Sequence, residues 1–219
     1  MNRLPARSIA SAALVLIALA LAAPAQPAKP AKPVQAAPAG PAPFTADLLK
    51  GFSARALGPY RTGSWVTSFA VPDAPARDHL YTLYVGTRNG GVWKTVNAGT
   101  TFEPVFDGQP KLSIGDVAVA PSDPNIVWVG TGEPYCARSS NSGDGVWKST
   151  DAGKTWTNMG LGDSHHIARV VIHPSDPNIV YVASMGHLFS ENAERGVFKT
   201  ADGGKTWKKV LYVDDRVGA

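Results

Sequence analysis

Two stretches of the sequence contain the residues that end a phosphate-binding loop, Gly-Lys-Thr at 153–155 and again at 204–206. Such a loop has the pattern Gly-x-x-x-x-Gly-Lys-Ser/Thr, so a second glycine must lie five residues before the glycine of Gly-Lys-Thr. That position holds Lys148 in the first stretch and Lys199 in the second. The loop also normally opens a helix whose N-terminus binds the anion, whereas strand-like residues flank both stretches. The sequence therefore excludes a nucleotide site here.

Carboxylates in two long intervals could perform a second kind of chemistry. Glycoside hydrolysis needs two carboxyl groups, one as proton donor and one as base or nucleophile. Glu133 and Asp144 lie in one interval between strands, and Glu191 and Glu194 lie in the next. Carboxylates are also common in solvated loops. Glu133, Asp144 and Glu191 are therefore the candidate catalytic residues, and packing between neighbouring elements is the alternative.

Four of the five histidines fall between residues 165 and 187. His165 and His166 are adjacent, and neighbouring side chains on a strand point to opposite faces of the sheet. His173 lies near the far end of the same predicted strand. The pattern predicts polar groups at strand ends, with no metal site and no cofactor.

Three phrases recur in the same order, three times each. The first reads as a strand ending in proline, and its copies lie at 63–72, 113–121 and 166–174. The second is a hydrophobic strand, at 79–87, 124–132 and 177–185. The third contains two strands joined by a turn, at 90–105, 144–159 and 195–210. Four strands in each unit of about fifty residues predict an all-β fold, a β-propeller with blades at about 63–107, 112–160 and 165–213.

The Gly-Lys-Thr stretches belong to the turn inside the third phrase. Each copy has a hydroxyl residue, then Asp or Asn, then Gly, then an aromatic residue. An Asp or Asn side chain can accept hydrogen bonds from backbone N–H groups ahead of it, and glycine supplies positive φ. The turn is therefore predicted to be structural at Thr95, Asn97, Gly99, Phe102, Ser149, Asp151, Gly153, Trp156, Thr200, Asp202, Gly204 and Trp207.

The N-terminus has the composition of an export signal. Arg3 and Arg7 precede an apolar run from Ile9 to Ala23, and a small-residue step follows. This predicts a signal peptide over 1–25 and a secreted or periplasmic protein, because the run is short for a membrane anchor. Residues 26–43, nearly all Ala, Pro, Lys and Gln, are predicted to form an extended linker, and 44–219 the propeller segment.

Charge and cysteine content exclude two further classes. Four of the 21 basic residues precede position 44, and all 17 acidic residues follow it, so the remainder is neutral (17 − 17 = 0). Neutral, interspersed charge argues against nucleic-acid binding, which needs a basic stripe. The single cysteine, Cys136, rules out an intrachain disulfide.

The repeated Ser/Thr-x-Asp/Asn-x-Gly-x-Thr-aromatic pattern resembles the Asp-box of exported bacterial BNR-repeat propellers, often described as sortilin-like. The resemblance extends from Leu48 to Ala219 and includes Gly130–Glu133, Gly143–Val146 and His165–Arg169. It implies a propeller, whereas the family's members range from sialidases and xyloglucan-cleaving glycosidases to binding receptors and photosystem assembly factors. No Arg-Ile-Pro phrase precedes the first blade, which disfavours a sialidase.

The intervals between second and third strands depart most from the repeat. Loops on a rigid scaffold commonly carry function. The candidate binding residues are Glu133, Tyr135, Arg138, His187 and Glu191. The leading hypothesis is a non-catalytic module that binds a protein or peptide partner, and the alternative is an extracytoplasmic glycosidase acting on a glycan. No membrane contact is expected beyond the cleaved signal peptide.

Three blades are fewer than a propeller ring requires. The sequence is therefore expected to be the N-terminal part of a longer protein, whose further blades would cover the edges. A small protein that closes its ring by oligomerising is the alternative.

Overall fold

The structure is a computed structural model that describes residues 65–73, 77–136 and 140–219. The predicted signal peptide and linker, 1–43, lie outside the described residues. The described residues form twelve strands and two short 3-10 turns, Arg77–His79 and Gly162–Ser164. Within these ranges, no helix has the length and apolar character that a bilayer crossing needs.

The strands form three separate antiparallel sheets of four, each in sequence order. The first blade contains β1 (Val66–Ala70), β2 (Leu83–Thr87), β3 (Val92–Thr95) and β4 (Glu103–Pro104). The second contains β5 (Ile114–Ala120), β6 (Asp123–Thr131), β7 (Val146–Ser149) and β8 (Thr157–Asn158). The third contains β9 (Ile167–Ile172), β10 (Val180–Ser184), β11 (Gly196–Thr200) and β12 (Lys208–Leu211). The predicted all-β blades of four strands are confirmed.

The first strands of the three blades lie side by side, β1 against β5 and β5 against β9. Gly115 permits this close approach, because an added Cβ would lie 1.9 Å from the Ile167 carbonyl oxygen. The buried carboxylate of Asp116 joins two of these strands, accepting hydrogen bonds from the Val117 N–H at 3.0 Å and the Val170 N–H at 2.8 Å. Desolvation of this carboxylate raises its pKa.

Two hydrophobic clusters lie between successive blades. Tyr84 of β2 and Trp128 of β6 occupy the same position in the repeat, and both side chains are fully buried against the following blade. Tyr181 of β10 occupies that position in the third blade and is 37% exposed. The repeated aromatic residue is therefore an inter-blade packing residue.

The predicted turn residues are joined by the expected hydrogen bonds. In the second blade, the Ser149 hydroxyl donates to Asp151 Oδ1 at 2.7 Å, and the Gly153 N–H donates to Ser149 Oγ at 2.8 Å. Thr155 donates its N–H and its hydroxyl to the Asp151 carboxylate at 2.9 and 2.6 Å. These hydrogen bonds, the one from the Thr155 hydroxyl above all, lower the pKa of Asp151 to about 2. The contacts of the first hydroxyl, the glycine N–H and the threonine N–H recur around Asn97 and Asp202. The Thr206 hydroxyl also donates to Asp202, whereas Thr101 Oγ1 accepts a hydrogen bond from Asn97 Nδ2 at 2.9 Å.

These turns also connect each blade to the one before it, which the sequence does not predict. The indole N–H of Trp156 donates to the Val105 carbonyl at 2.6 Å, and that of Trp207 donates to the Met159 carbonyl at 2.7 Å. In return, Lys148 Nζ donates to the Gly203 carbonyl at 3.2 Å. The turns therefore hold the blades together as well as closing the hairpins.

Candidate functional site

The longest connections of the second and third blades meet at one end of the sheets. They comprise the β6–β7 connection (132–136 and 140–145), the β8–β9 connection (159–166) and the β10–β11 connection (185–195), and together we call them the loop face. The Gly143 N–H donates to the His165 carbonyl at 2.7 Å, and Asn192 Nδ2 donates to the Asp163 carbonyl at 2.7 Å. These bonds bring loops of two blades into one surface.

Glu133 is fully buried beneath the loop face. Its carboxylate accepts hydrogen bonds from the Tyr135 N–H at 2.5 Å and the Ser140 hydroxyl at 2.6 Å. Arg88 Nε forms an ion pair with Oε2 at 3.0 Å. The Glu133 carbonyl lies 2.9 Å from His166 Nδ1. This carboxylate is therefore occupied in holding the β6–β7 connection to the first blade and has no exposed edge.

The other two candidate carboxylates, Asp144 and Glu191, have surroundings different from those of Glu133. Asp144 Oδ1 accepts a hydrogen bond from the Trp147 indole N–H at 2.9 Å, and its backbone N–H donates to Thr131 Oγ1 at 2.8 Å. Glu191 is exposed and pairs with Arg216 Nε at 2.7 Å. The three candidates therefore do not form a pair of carboxylates that faces a common cleft.

Of the remaining predicted loop residues, Tyr135 is 61% exposed and its hydroxyl donates to the Thr67 carbonyl at 3.2 Å. Arg138 lies outside the described residues. Cys136 is exposed, with Sγ 3.4 Å from the Pro134 carbonyl.

Arg195 fixes the shape of the β10–β11 connection. Its buried guanidinium donates from Nη1 to the Met185 and Arg216 carbonyls at 2.6 and 3.2 Å. Nη2 donates to the Ser190 carbonyl at 2.8 Å and also to the His187 carbonyl. The Arg195 guanidinium therefore holds the loop that carries His187, because backbone carbonyls of that loop accept its hydrogen bonds.

His165 and His166 precede β9, which begins at Ile167, so the prediction that they lie on a strand is wrong. Leu161 and His165 both have positive φ, 57° and 54°, and they bound the Gly162–Ser164 turn. The turn directs the His165 ring onto the ring of His187, where the two stack with centroids 3.7 Å apart and planes at 22°. Burial, with a smaller contribution from His187, lowers the pKa of His165.

Asp163, which the sequence analysis missed, completes this cluster. His187 Nε2 lies 3.0 Å from Asp163 Oδ1, and His187 Nδ1 lies 2.8 Å from Ser190 Oγ. Desolvation opposes ionisation of Asp163, but hydrogen bonds from His187 and Asn192 outweigh it and lower the pKa. The residues come from separate loops. His187 lies in an interval that departs from the repeat, whereas Asp163 lies in the β8–β9 connection, which gave no such signal.

A groove with a volume of about 340 Å³ opens beside the histidine cluster. Its lining includes two hydrophobic residues, Leu188 and Phe189, among polar ones. Phe189 is 97% exposed at the tip of the β10–β11 connection. The remaining lining residues are Ser140, Asn141, Ser142, His165, His166, His187 and Ser190. The groove thus combines hydrogen-bonding groups with an aromatic ring that is held on an anchored loop.

Two curated relatives are named as xyloglucanases. The chain is 27% identical over 173 residues to a probable oligoxyloglucan-reducing end-specific xyloglucanase of Neosartorya fischeri, covering 70% of this chain and 19% of that protein. It is 28% identical over 142 residues to a xyloglucanase of a Paenibacillus species, covering 58% of this chain and 13% of that protein. The chain therefore spans a fifth or less of the length of these relatives.

Among solved structures, an ancestral GH74 enzyme superposes with a TM-score of 0.55 at 19% identity, covering 71% of this chain and 19% of that one. This likeness supports the propeller fold alone. The model of the Sortilin-Vps10 family, described as "Sortilin, neurotensin receptor 3", matches residues 90–216, which is more than half of the chain. With its three Asp-box blades, the chain belongs to the Sortilin-Vps10 family.

Proposed function

We propose that this protein is a non-catalytic propeller module that binds a protein or peptide partner on its loop face. The proposal rests on a difference in accessibility between the candidate catalytic carboxylates and the groove. Glu133 and Asp144 are engaged by neighbouring protein groups, whereas Phe189 and the groove beside it face solvent. Exposed aromatic side chains on rigid supports are common anchors of protein interfaces.

The family supports binding as well, since its description names a receptor. Residues 1–25 have the composition of a signal peptide, so we place the binding site outside the cytoplasm. In this proposal the linker over 26–43 separates the propeller segment, 44–219, from the export signal. The Asp-box residues have a structural role, and Tyr135, His187 and Glu191 belong to the surface that surrounds the groove.

A test uses random peptides displayed on phage and selected on the immobilised intact protein. We expect Phe189→Ala to weaken binding of the selected peptides by 10-fold or more, roughly the effect of losing an interface anchor worth 1.4 kcal/mol. Phe69→Ala is the matched control, because Phe69 is 65% exposed and lies on β1, and it is not one of the residues that line the groove. Equal binding by the wild type and Phe189→Ala would contradict the proposal, as would an equal loss in both variants.

A glycoside hydrolase is the second candidate function. The observation that favours it is the name of the two curated relatives, both xyloglucanases. A hydrolase would require two carboxyl groups on either side of the sugar. Because Glu133 is buried and Asp144 is bonded to Trp147, those groups would have to come from other residues or from other parts of a longer protein.

A further inference from the structure

Three side chains of the types that bind metal ions come together on the loop face from two connections. Asp163 and His165 come from the β8–β9 connection, and His187 comes from the β10–β11 connection. One ligand atom from each lies within 4.8 Å of the others. Imidazole nitrogen and carboxylate oxygen are the donors that zinc accepts in sites with three protein ligands and one open position.

The closest pair already has the separation that two ligands of one ion require. Zinc bonds to nitrogen and oxygen are about 2.0–2.2 Å long, so neighbouring tetrahedral ligand atoms lie roughly 3.3 Å apart. His187 Nε2 and Asp163 Oδ1 are 3.0 Å apart. The near-parallel stacking of His165 on His187 places the third ligand beside them. Stacked rings direct their in-plane nitrogen lone pairs side by side, so the partly exposed His165 ring would turn towards the ion to complete the set.

Further polar groups form hydrogen bonds to these ligand residues and orient them. Ser190 Oγ lies 2.8 Å from the remaining ring nitrogen of His187, and a hydroxyl oxygen can accept a hydrogen bond from that N–H when the other nitrogen binds metal. Asn192 Nδ2 holds the Asp163 carbonyl at 2.7 Å, and the His187 N–H donates to Asn192 Oδ1 at 3.0 Å. Such outer contacts are typical of metal sites and fix ligand orientation.

Solvent can reach the cluster, since the Asp163 side chain is 59% exposed and that of His187 is 21% exposed. The groove is lined by the same two histidines, His165 and His187. An ion bound here would therefore turn its open position towards the groove.

We propose that Asp163, His165 and His187 bind one Zn²⁺ ion at the edge of the groove, with water as the fourth ligand. This departs from the sequence prediction of no metal site, which assumed that histidines on one strand could not chelate together. The chelating pair is His165 with His187, which come from different connections. The site does not depend on the peptide proposed for the groove, because the ligands are all protein side chains.

The experiment titrates Zn²⁺ and Co²⁺ into the untagged, metal-stripped protein, with calorimetry for zinc and visible absorption for cobalt. We expect one ion per chain and a cobalt spectrum of four- or five-coordinate type. His165→Asn, His187→Gln and Asp163→Asn should each weaken zinc binding about 100-fold or more, and Ser190→Ala about 10-fold. Asparagine is chosen at 165 because it tolerates positive φ.

His173→Gln is the matched control, since His173 is exposed after β9 and its Nδ1 accepts N–H bonds from Ser175 and Asp176. Its zinc affinity should equal that of the wild type. Urea unfolding of each metal-free variant establishes that the fold is retained. Absence of zinc binding in the folded wild type would overturn the proposal and leave a metal-free Asp–His hydrogen bond. Unchanged affinity in the three ligand variants would overturn it too.

Discussion

Replacing Trp128 with alanine is expected to lower the free energy of unfolding by about 3–5 kcal/mol, the usual cost of truncating a fully buried aromatic side chain. Trp128 lies between the second and third blades and packs edge-to-face on Trp207, with ring centroids 6.2 Å apart. An added Cβ at Gly204 would lie 2.7 Å from the Trp128 ring, so the Asp-box turn fits directly against it. Removing the ring leaves a cavity in this interface.

The repeat supplies a matched control for Trp128. Tyr181→Ala changes the equivalent position of the third blade, where the side chain is 37% exposed. We expect a cost of about 1 kcal/mol or less there, measured by urea unfolding. Equal costs at the two positions would contradict the assignment of stability to inter-blade packing.

Glu133→Ala is expected to destabilise the protein by about 3–5 kcal/mol, because breaking a buried ion pair leaves the partner charge without compensation from its counter-ion. The change removes the carboxylate that faces Arg88 at 3.0 Å and that accepts from the Tyr135 N–H and the Ser140 hydroxyl. Glu133→Gln should cost less, since an amide oxygen still accepts a hydrogen bond.

Glu191→Ala serves as the comparison for Glu133→Ala. Glu191 pairs with Arg216 on the surface, with the two side chains 61% and 76% exposed. Exposed pairs contribute about 0–1 kcal/mol, so this variant should unfold close to the wild type in urea. A Glu133→Ala protein as stable as Glu191→Ala would show that the buried carboxylate does not hold the loop.

The blades could be predicted from the sequence because their residues repeat. Runs rich in β-branched and apolar residues recur at the same place in each unit, and the repeated Asp, Gly and aromatic residues indicate the turns between strands. The contacts between blades could not be predicted in this way. Lys148 reaches the Gly203 carbonyl 55 residues away, and nothing in the repeat gives the separation of two blades.

The candidate site was less predictable, because it lies where the repeat is interrupted. The apolar and β-branched run after His166 predicted a strand that included the histidines, but positive φ at Leu161 and His165 ends the regular backbone before Ile167. Asp163 and Phe189 carried no periodic signal. Glu133 had the residue type of a catalytic acid, and only its full burial distinguishes the structural role from a catalytic one.

Incubation of the intact protein with xyloglucan, followed by measurement of newly formed reducing ends, tests most directly whether the loop face binds without catalysing hydrolysis. Xyloglucan is the appropriate glycan because both curated relatives are xyloglucanases by name. The account predicts no reducing ends above those formed with heat-unfolded protein. Hydrolysis by the folded protein above that level, whichever carboxylates it requires, would contradict it.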